Sequence, residues 1–219
     1  MPPPSLTFLH TSPVHVATFD ALLAELAPEI PVRHIVEEAL LERARAEDVA
    51  AVSGRLSELL RELEGRAAVL VCTCSTIGNA TEALGSERLP VMRIDRPMAE
   101  AAVKAGQNGA VLILAALDST LGPTRALIED AARKLRLPAS IQIKLCTGAW
   151  TLFESGDLAG YTACITTELD SLPEPLPAVV VLAQASMAPA ATQTRLSVPV
   201  LSSPRLGAQA AVALYRQTT

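Results

Sequence analysis

The chain has 219 residues, half of them hydrophobic but only 3% aromatic, and carries a formal net charge of −5. That length can bury one ordinary core or two small ones without disulfide or metal staples, and the excess of Ala, Leu and Val favours helices packed on buried parallel strands over an all-β fold. An acidic chain with no Lys/Arg cluster longer than two residues lacks the positive footprint that a polyphosphate requires, which excludes nucleic acid as a partner.

The start, Met1-Pro2-Pro3-Pro4, has no basic targeting segment. The most apolar stretch, Leu176 to Ala191, is broken by Gln184 and too short to span a bilayer. Both features predict a cytoplasmic protein with no membrane partner. Short apolar runs then alternate with amphipathic helical patterns, the signature of βαβ units. The predicted strands are Leu6 to His10, Val32 to Val36, Ala68 to Thr73, Val91 to Asp95, Ala110 to Ala115, Ile141 to Leu145, Ala178 to Ala183 and Val198 to Leu201. Ser12-Pro13 opens a helix with Phe19, Leu22, Leu23 and Leu26 on one stripe. Asp48 opens another that carries Val49, Val52, Leu56, Leu59, Leu60 and Leu63 and stops at Gly65. Arg96-Pro97 starts a third, Pro123 to Leu135 a fourth, and Ala208 to Arg216 the last.

The two halves of this pattern can be laid on each other. "AAVLVCTCST" followed by "LPVMRID" matches "PAVVVLAQAS" followed by "VPVLSSP", which places Cys74 on Gln184 at an offset of 110 and Pro90 on Pro199 at an offset of 109. "TFLHTS" matches "LILAAL", placing His10 on Ala115 at an offset of 105. The expected fold is therefore α/β, with two pseudo-symmetric four-stranded parallel-sheet, Rossmann-like halves. Residues 1–95 with about 205–219 would form the first half and residues 96–204 the second. Ligands of parallel sheets bind beyond the carboxyl ends of strands, so the site is expected in a cleft between the halves, with Cys74 and Gln184 facing each other.

The four cysteines, Cys72, Cys74, Cys146 and Cys164, read as reduced thiols. Cys72 and Cys74 lack the spacer and the further ligands of a zinc site, so no metal is expected. No Gly-rich loop followed by Lys-Ser/Thr accompanies any strand, which disfavours a nucleotide; Gly78, Gly106 and Gly109 read as turn and cap residues. Cys74 ends a strand, and after Ser75-Thr76 a helix can begin. A thiol at a helix N-terminus has a lowered pKa, and its thiolate can act as base or nucleophile. The plain alternative for any cysteine is packing, which is the reading for Cys72, Cys146 and Cys164.

At Cys74-Ser75-Thr76 the chain resembles the cofactor-independent Asp/Glu racemase superfamily, which includes glutamate, aspartate and hydantoin racemases, maleate isomerase and arylmalonate decarboxylase. The family's first-half signature is a strand ending in Cys-Asn-Thr. His10-Thr11-Ser12 resembles its first substrate loop, Asp118-Ser119-Thr120 the matching second-half loop, and Pro199-Val200-Leu201-Ser202-Ser203 its last strand. "VMRIDRPMAEAAV" is similar to an "IDxPM" stretch in an uncharacterised branch. The resemblance implies an isomerase or racemase with no cofactor, a small carboxylate-bearing substrate and a homodimer. It also implies two thiols on opposite faces of a Cα–H, yet Gln184-Ala185 stands where the second-half Cys-Thr is expected, and Gln does not exchange protons near neutral pH.

Three readings follow. Cys74 acts alone, as in a one-thiol decarboxylase, a lyase or an isomerase with a covalent adduct, while Gln184 donates hydrogen bonds to a carboxylate or enolate. Alternatively His10 or His15, near the end of the first strand, supplies the second proton. The third is a non-catalytic small-carboxylate binding protein. The catalytic set is Cys74, His10 and Gln184; the substrate-binding set is Thr11, Ser75, Thr76, Asp95, Thr120 and Ser186. The hydroxyls at these turns can equally cap helices, Asp95 can simply open the next helix, and Lys144 can snorkel at a sheet edge.

Overall fold

A computed structural model describes residues 3–219; Met1 and Pro2, part of the start read above as free of a targeting segment, lie outside the described residues. The chain divides into two compact units, one running to Asp95 and completed by Pro204–Thr219, the other spanning Arg96–Ser203. The first contains β1 (Ser5–His10), α1 (Val14–Leu26), β2 (Val32–Val36), α2 (Glu38–Ala46), α3 (Ser53–Leu63), β3 (Ala67–Cys72), α4 (Gly78–Ala83) and β4 (Val91–Arg93). The second contains α5 (Arg96–Ala105), β5 (Ala110–Ala115), α6 (Leu121–Leu135), β6 (Ser140–Leu145), α7 (Ala149–Glu154), α8 (Leu158–Asp170), β7 (Val179–Leu182), α9 (Ala188–Gln193) and β8 (Val200–Leu201). The final helix, α10 (Ser203–Thr218), packs in the first unit. No helix among the described residues is long and apolar enough to cross a membrane.

All strand pairs are parallel, and the order β2-β1-β3-β4 in the first sheet is repeated as β6-β5-β7-β8 in the second. The registers reproduce the sequence offsets. Leu9 pairs with Cys72 and Leu114 with Leu182, so first strands related by 105 residues meet third strands related by 110. Leu70 pairs with Val91 and Val180 with Val200, which carries the offset of 109 into the fourth strands.

The central strands of each sheet, β1 and β3 in the first and β5 and β7 in the second, are buried on both faces, which is why they read as apolar runs. In the first unit Leu6, Phe8, Val69 and Val71 pack under Phe19 and Leu23 of α1 and Ala208, Ala211 and Val212 of α10. Residues of opposite parity, Leu9, Leu70 and Cys72, pack under Leu40 of α2 and Leu56, Leu59, Leu60 and Leu63 of α3. In the second, Leu112, Leu114, Val180 and Leu182 meet Ala149 of α7, Tyr161, Ile165 and Leu169 of α8, and Ala190 of α9.

Two predicted elements change form. The fourth strand ends at Arg93 rather than Asp95, because the chain turns at Ile94-Asp95. The helix expected from Asp48 is a 3-10 turn over Val49–Val52, capped by the Asp48 side chain on Ala51 N–H, followed by α3. Gly65 ends that helix in the left-handed conformation at φ 72°, where it carries no Cβ penalty. Gly207 of α10 is required by close approach. A Cβ there would lie 2.2 Å from the Ile94 carbonyl oxygen and 2.5 Å from Ile94 Cδ1. Gly207→Ala is therefore expected to lower the thermal midpoint by roughly 3–10 °C in a calorimetric scan, and an unchanged midpoint would show that α10 is not held against Ile94.

Candidate active site

In a parallel sheet of this order the connections diverge between the first and third strands, and ligands bind at the carboxyl ends flanking that switch point. In the first unit those ends are His10 and the segment Thr73-Cys74 after β3; in the second they are Ala115 and Ala183-Gln184 after β7. Equivalent backbone bonds close both gaps, Thr73 N–H to the Leu9 carbonyl at 3.0 Å and Ala183 N–H to the Leu114 carbonyl at 2.9 Å.

Cys74 is half-buried, and its backbone carbonyl accepts a long hydrogen bond from the Cys72 thiol at 3.6 Å. The expectation that Cys74 opens a helix is corrected: a turn over residues 75–77 intervenes, and α4, only six residues long, begins at Gly78 with Ile77 at the N-cap position. The thiol lies outside the turn over which a helix terminus acts, so the helix dipole is not its activator. Cys72 is inert, because complete burial pushes its thiol up to about 12. Burial likewise pushes Cys146 up to about 12; its sulfur lies 3.6 Å from that of half-buried Cys164.

The loop bearing Cys74 rests on a charge. Arg93 is fully buried and forks onto both carboxylate oxygens of Asp95, with Nε to Oδ1 at 2.8 Å and Nη2 to Oδ2 at 2.7 Å. Its Nη1 donates to Asn79 Oδ1, its Nη2 reaches the Ser75 carbonyl at 3.5 Å, and its backbone N–H donates to Glu82 Oε1 at 3.3 Å. The guanidinium thus ties β4 to residues 75 and 79, and the Arg93 backbone adds residue 82. Gly78 lets the loop settle on it, since a Cβ there would lie 2.8 Å from Arg93 Nε. Burial works against the Arg93 charge, but the Asp95 carboxylate outweighs it and raises the pKa. Asp95, placed above in the substrate-binding set, is committed to Arg93. Sequence reasoning passed over Arg93, although a lone Arg inside "VMRID" with an Asp two residues on the same strand side is a legible signal for a buried pair.

His10 is also corrected. It does not point freely from the strand end but is wholly buried, with Nδ1 2.8 Å from Thr73 Oγ1 and Nε2 2.8 Å from His34 Nδ1. His34 Nε2 in turn lies 3.0 Å from Asp20 Oδ1. Burial first, then the neighbouring His34 and His15, push the His10 pKa down to about 3, and burial pushes His15 down to about 4. Neither ring is a proton carrier by itself at neutral pH. Thr11, Ser75 and Thr76 are buried within this strand-end region.

In the second unit the Gln184 side chain spans the switch point, its Oε1 accepting from Ala116 N–H at 2.9 Å. That bond fixes the amide orientation, because only the oxygen can face a donor. Its Nε2 is buried and has no hydrogen-bond partner among the described residues. Ser186 Oγ pairs with Tyr161 Oη of α8 at 2.9 Å, a contact between elements, and the Thr120 hydroxyl donates within its own turn to the Leu117 carbonyl at 2.7 Å. Lys144, on edge strand β6, pairs with Glu168. No three His, Cys, Asp or Glu among the described residues come together as metal ligands.

No family model matches the sequence, and no curated protein matches it. Solved structures do match in fold. A glutamate racemase of Bacillus anthracis superposes with a TM-score of 0.75 at 20% identity over 98% of this chain and 82% of that one. The aspartate racemase of Picrophilus torridus gives 0.72 at 14% over 98% and 95%, and the allantoin racemase of Pseudomonas fluorescens 0.61 at 19% over 97% and 92%. The two-unit α/β fold of this chain is that of these racemases.

Two outcomes are expected. Asp95→Asn leaves the buried Arg93 charge unpaired and should destabilise the chain by about 3–5 kcal/mol in urea unfolding, whereas Arg93→Met with Asp95→Leu together should recover much of that loss; equal losses in single and double variants would contradict the pairing. Because His10 and His15 are held neutral when folded but bind protons from about pH 6.5 downward when unfolded, stability should fall on acidification below about 6.5. The slope is about 1 kcal/mol per pH unit for each histidine, ending near pH 4 for His15 and near pH 3 for His10. Equal unfolding free energies at pH 7 and pH 5 would show that the rings are not held neutral.

Proposed function

We propose that this chain is a cofactor-independent, racemase-like enzyme of the Asp/Glu racemase superfamily. It acts at the carbon next to a carboxylate of a small molecule, with Cys74 as the proton-transferring thiol. The observation that carries the reading is a half-buried thiol just beyond the carboxyl end of β3, beside the switch point, in a fold shared along 98% of the chain with a glutamate racemase. The Cys74 thiolate takes the Cα proton, the released electron pair is delocalised into the carboxylate, and the same sulfur returns a proton. Gln184 supplies a donor for the resulting charge. Its Nε2 has no partner among the described residues and its orientation is locked by Ala116, the arrangement of a preorganised stabiliser for an anionic oxygen.

Glutamine at position 184 also makes the chemistry one-sided. With one thiol on one face, a proton removed and returned by Cys74 alone gives exchange with retention, so inversion requires the proton to return from solvent on the opposite face, whereas loss of CO2 followed by protonation by Cys74 gives a single product enantiomer. A one-thiol decarboxylase is therefore the second reading, and Gln184 favours it. If the thiol is idle, the buried donor of Gln184 still supports a small-carboxylate binding protein.

The test is incubation in D2O with a panel of small amino acids, dicarboxylates and malonates, followed by NMR of the Cα position. Solvent deuterium should enter at one face only, Cys74→Ala should abolish it, and Gln184→Leu should weaken turnover by about 10- to 100-fold through loss of a hydrogen bond to a charged group. Carboxylate binding without exchange, unaffected by Cys74→Ala, would replace the enzyme reading with the binding one.

A further inference from the structure

All three histidines of the chain, His10, His15 and His34, gather at one place in the first unit. Three of the side chains there form a continuous line with Asp20. The Asp20 carboxylate is mostly exposed, His34 is largely buried, His10 is fully buried, and Thr73 directly precedes Cys74. The links are 3.0 Å from Asp20 to His34, 2.8 Å from His34 to His10 and 2.8 Å from His10 to Thr73. The Thr73 hydroxyl also reaches the Leu9 carbonyl at 3.1 Å. The rings of His10 and His34 lie within 20° of parallel with centroids 5.1 Å apart, and Phe8 lies near both.

The scaffold does not require this line. By strand register, the second unit has Ala115 at the position of His10, Ala183 at that of Thr73 and Ile143 at that of His34, and it builds the same sheet end without a polar side chain at any of the three. Sequestering polar groups that the fold can do without is destabilising unless they are used or fully paired. These are fully paired, and with Asp20 ionised and His10 kept neutral by its burial the pairing has two consistent proton arrangements. With His34 neutral, it donates from Nε2 to Asp20 and accepts at Nδ1 from His10 Nε2–H, while His10 Nδ1 accepts the Thr73 hydroxyl proton. With His34 cationic, it donates both to Asp20 and to His10 Nε2. His10 then carries its proton on Nδ1 and donates to Thr73, whose hydroxyl turns to the Leu9 carbonyl.

We propose that Thr73, His10, His34 and Asp20 are a proton relay between the carboxyl end of the first sheet and solvent, with His34 as the resting place of the moving proton. The two arrangements differ by one proton, and the conversion balances. A proton released at the strand end adds to the Thr73 oxygen, the former hydroxyl proton passes to His10 Nδ1, and the Nε2 proton of His10 passes to His34 Nδ1. His34 becomes an imidazolium beside the Asp20 carboxylate, His10 stays neutral throughout, and the reverse sequence returns the proton. The charged and titratable groups facing the relay are Asp20 and His15 from α1 and His34 from β2. Glu37, whose backbone N–H donates to the His10 carbonyl, turns its carboxylate to Arg55. Use of the relay during turnover rests on Cys74 being a proton-transferring thiol; its existence does not.

The experiment is a pH titration of the full chain followed by long-range 1H–15N correlation of its three histidines, which reports the tautomer and charge of each ring. As His34 gains its second proton, His10 should change from the Nε2–H to the Nδ1–H tautomer at the same midpoint without becoming cationic, and Cys74→Ala should leave this coupling intact. His34→Gln should abolish the tautomer change. A His10 that keeps one tautomer across the His34 transition, or that gains its own charge near neutral pH, overturns the relay. Where the wild type exchanges substrate protons in D2O, His34→Gln should slow exchange about 10-fold with affinity unchanged; an unaltered rate removes the relay from turnover. An intact tautomer switch in a chain that exchanges no substrate proton upholds the relay and refutes the Cys74 reading instead.

Discussion

The arrangement at the carboxyl end of the first sheet depends on the buried pair of Arg93 and Asp95. A guanidinium with no exposure is tolerable only if its charge is matched and its donors are used, and the structure meets both conditions with Asp95 and with acceptors on the loop after β3. The consequence is directional. The loop of Cys74, Ser75 and Thr76 is neither a free surface turn nor the first turn of a helix; it is a segment bound from beneath to the last strand of its sheet. Gly78 belongs to the same constraint, because any side chain there would displace the guanidinium.

Duplication explains why the two units differ where they do. Both repeat one strand order, and both close the gap between first and third strands with the same backbone bond. What varies is the side chains set on that frame. The first unit carries a thiol, a buried imidazole pair and a hydroxyl; at matching positions the second carries an amide, two alanines and an isoleucine. An amide donates without exchanging protons, and a thiol exchanges them, so the two strand ends are chemically complementary rather than equivalent. This asymmetry separates the chain from a symmetric two-thiol scheme while leaving the racemase fold intact.

Electrostatics at the first strand end is governed by burial more than by charge. His10 and His15 are held neutral because hydration of an imidazolium is lost there, and at His10 the neighbouring rings add like-charge repulsion. His34, nearer the surface, instead places its Nε2 3.0 Å from the exposed Asp20 carboxylate. Position along the line from surface to core therefore assigns each ring its role.

Much of the architecture was legible in the order of residues. Eight predicted runs became eight parallel strands, and the offsets of 105, 110 and 109 reappear in the strand registers, because burial on both faces writes a continuous apolar run into the central strands and duplication preserves spacing. The thiol, the amide at its matching position and the polar turns could be named from sequence alone for the same reason: strand ends are local features. What only the tertiary structure decided is how those groups are engaged. Asp95 looked like a helix start and is the counter-ion of Arg93; His10 looked like a proton donor at a strand end and is sealed between Thr73 and His34; Cys74 looked like a helix N-terminus and sits a turn too early. Helix α8, with Gly160 and its threonines, has weak intrinsic propensity and forms because Tyr161, Ile165 and Leu169 pack on the second sheet. Periodicity reports which face of an element is buried, but the partner of a buried polar group is chosen across tens of residues by packing, and that choice leaves no periodic trace in the chain.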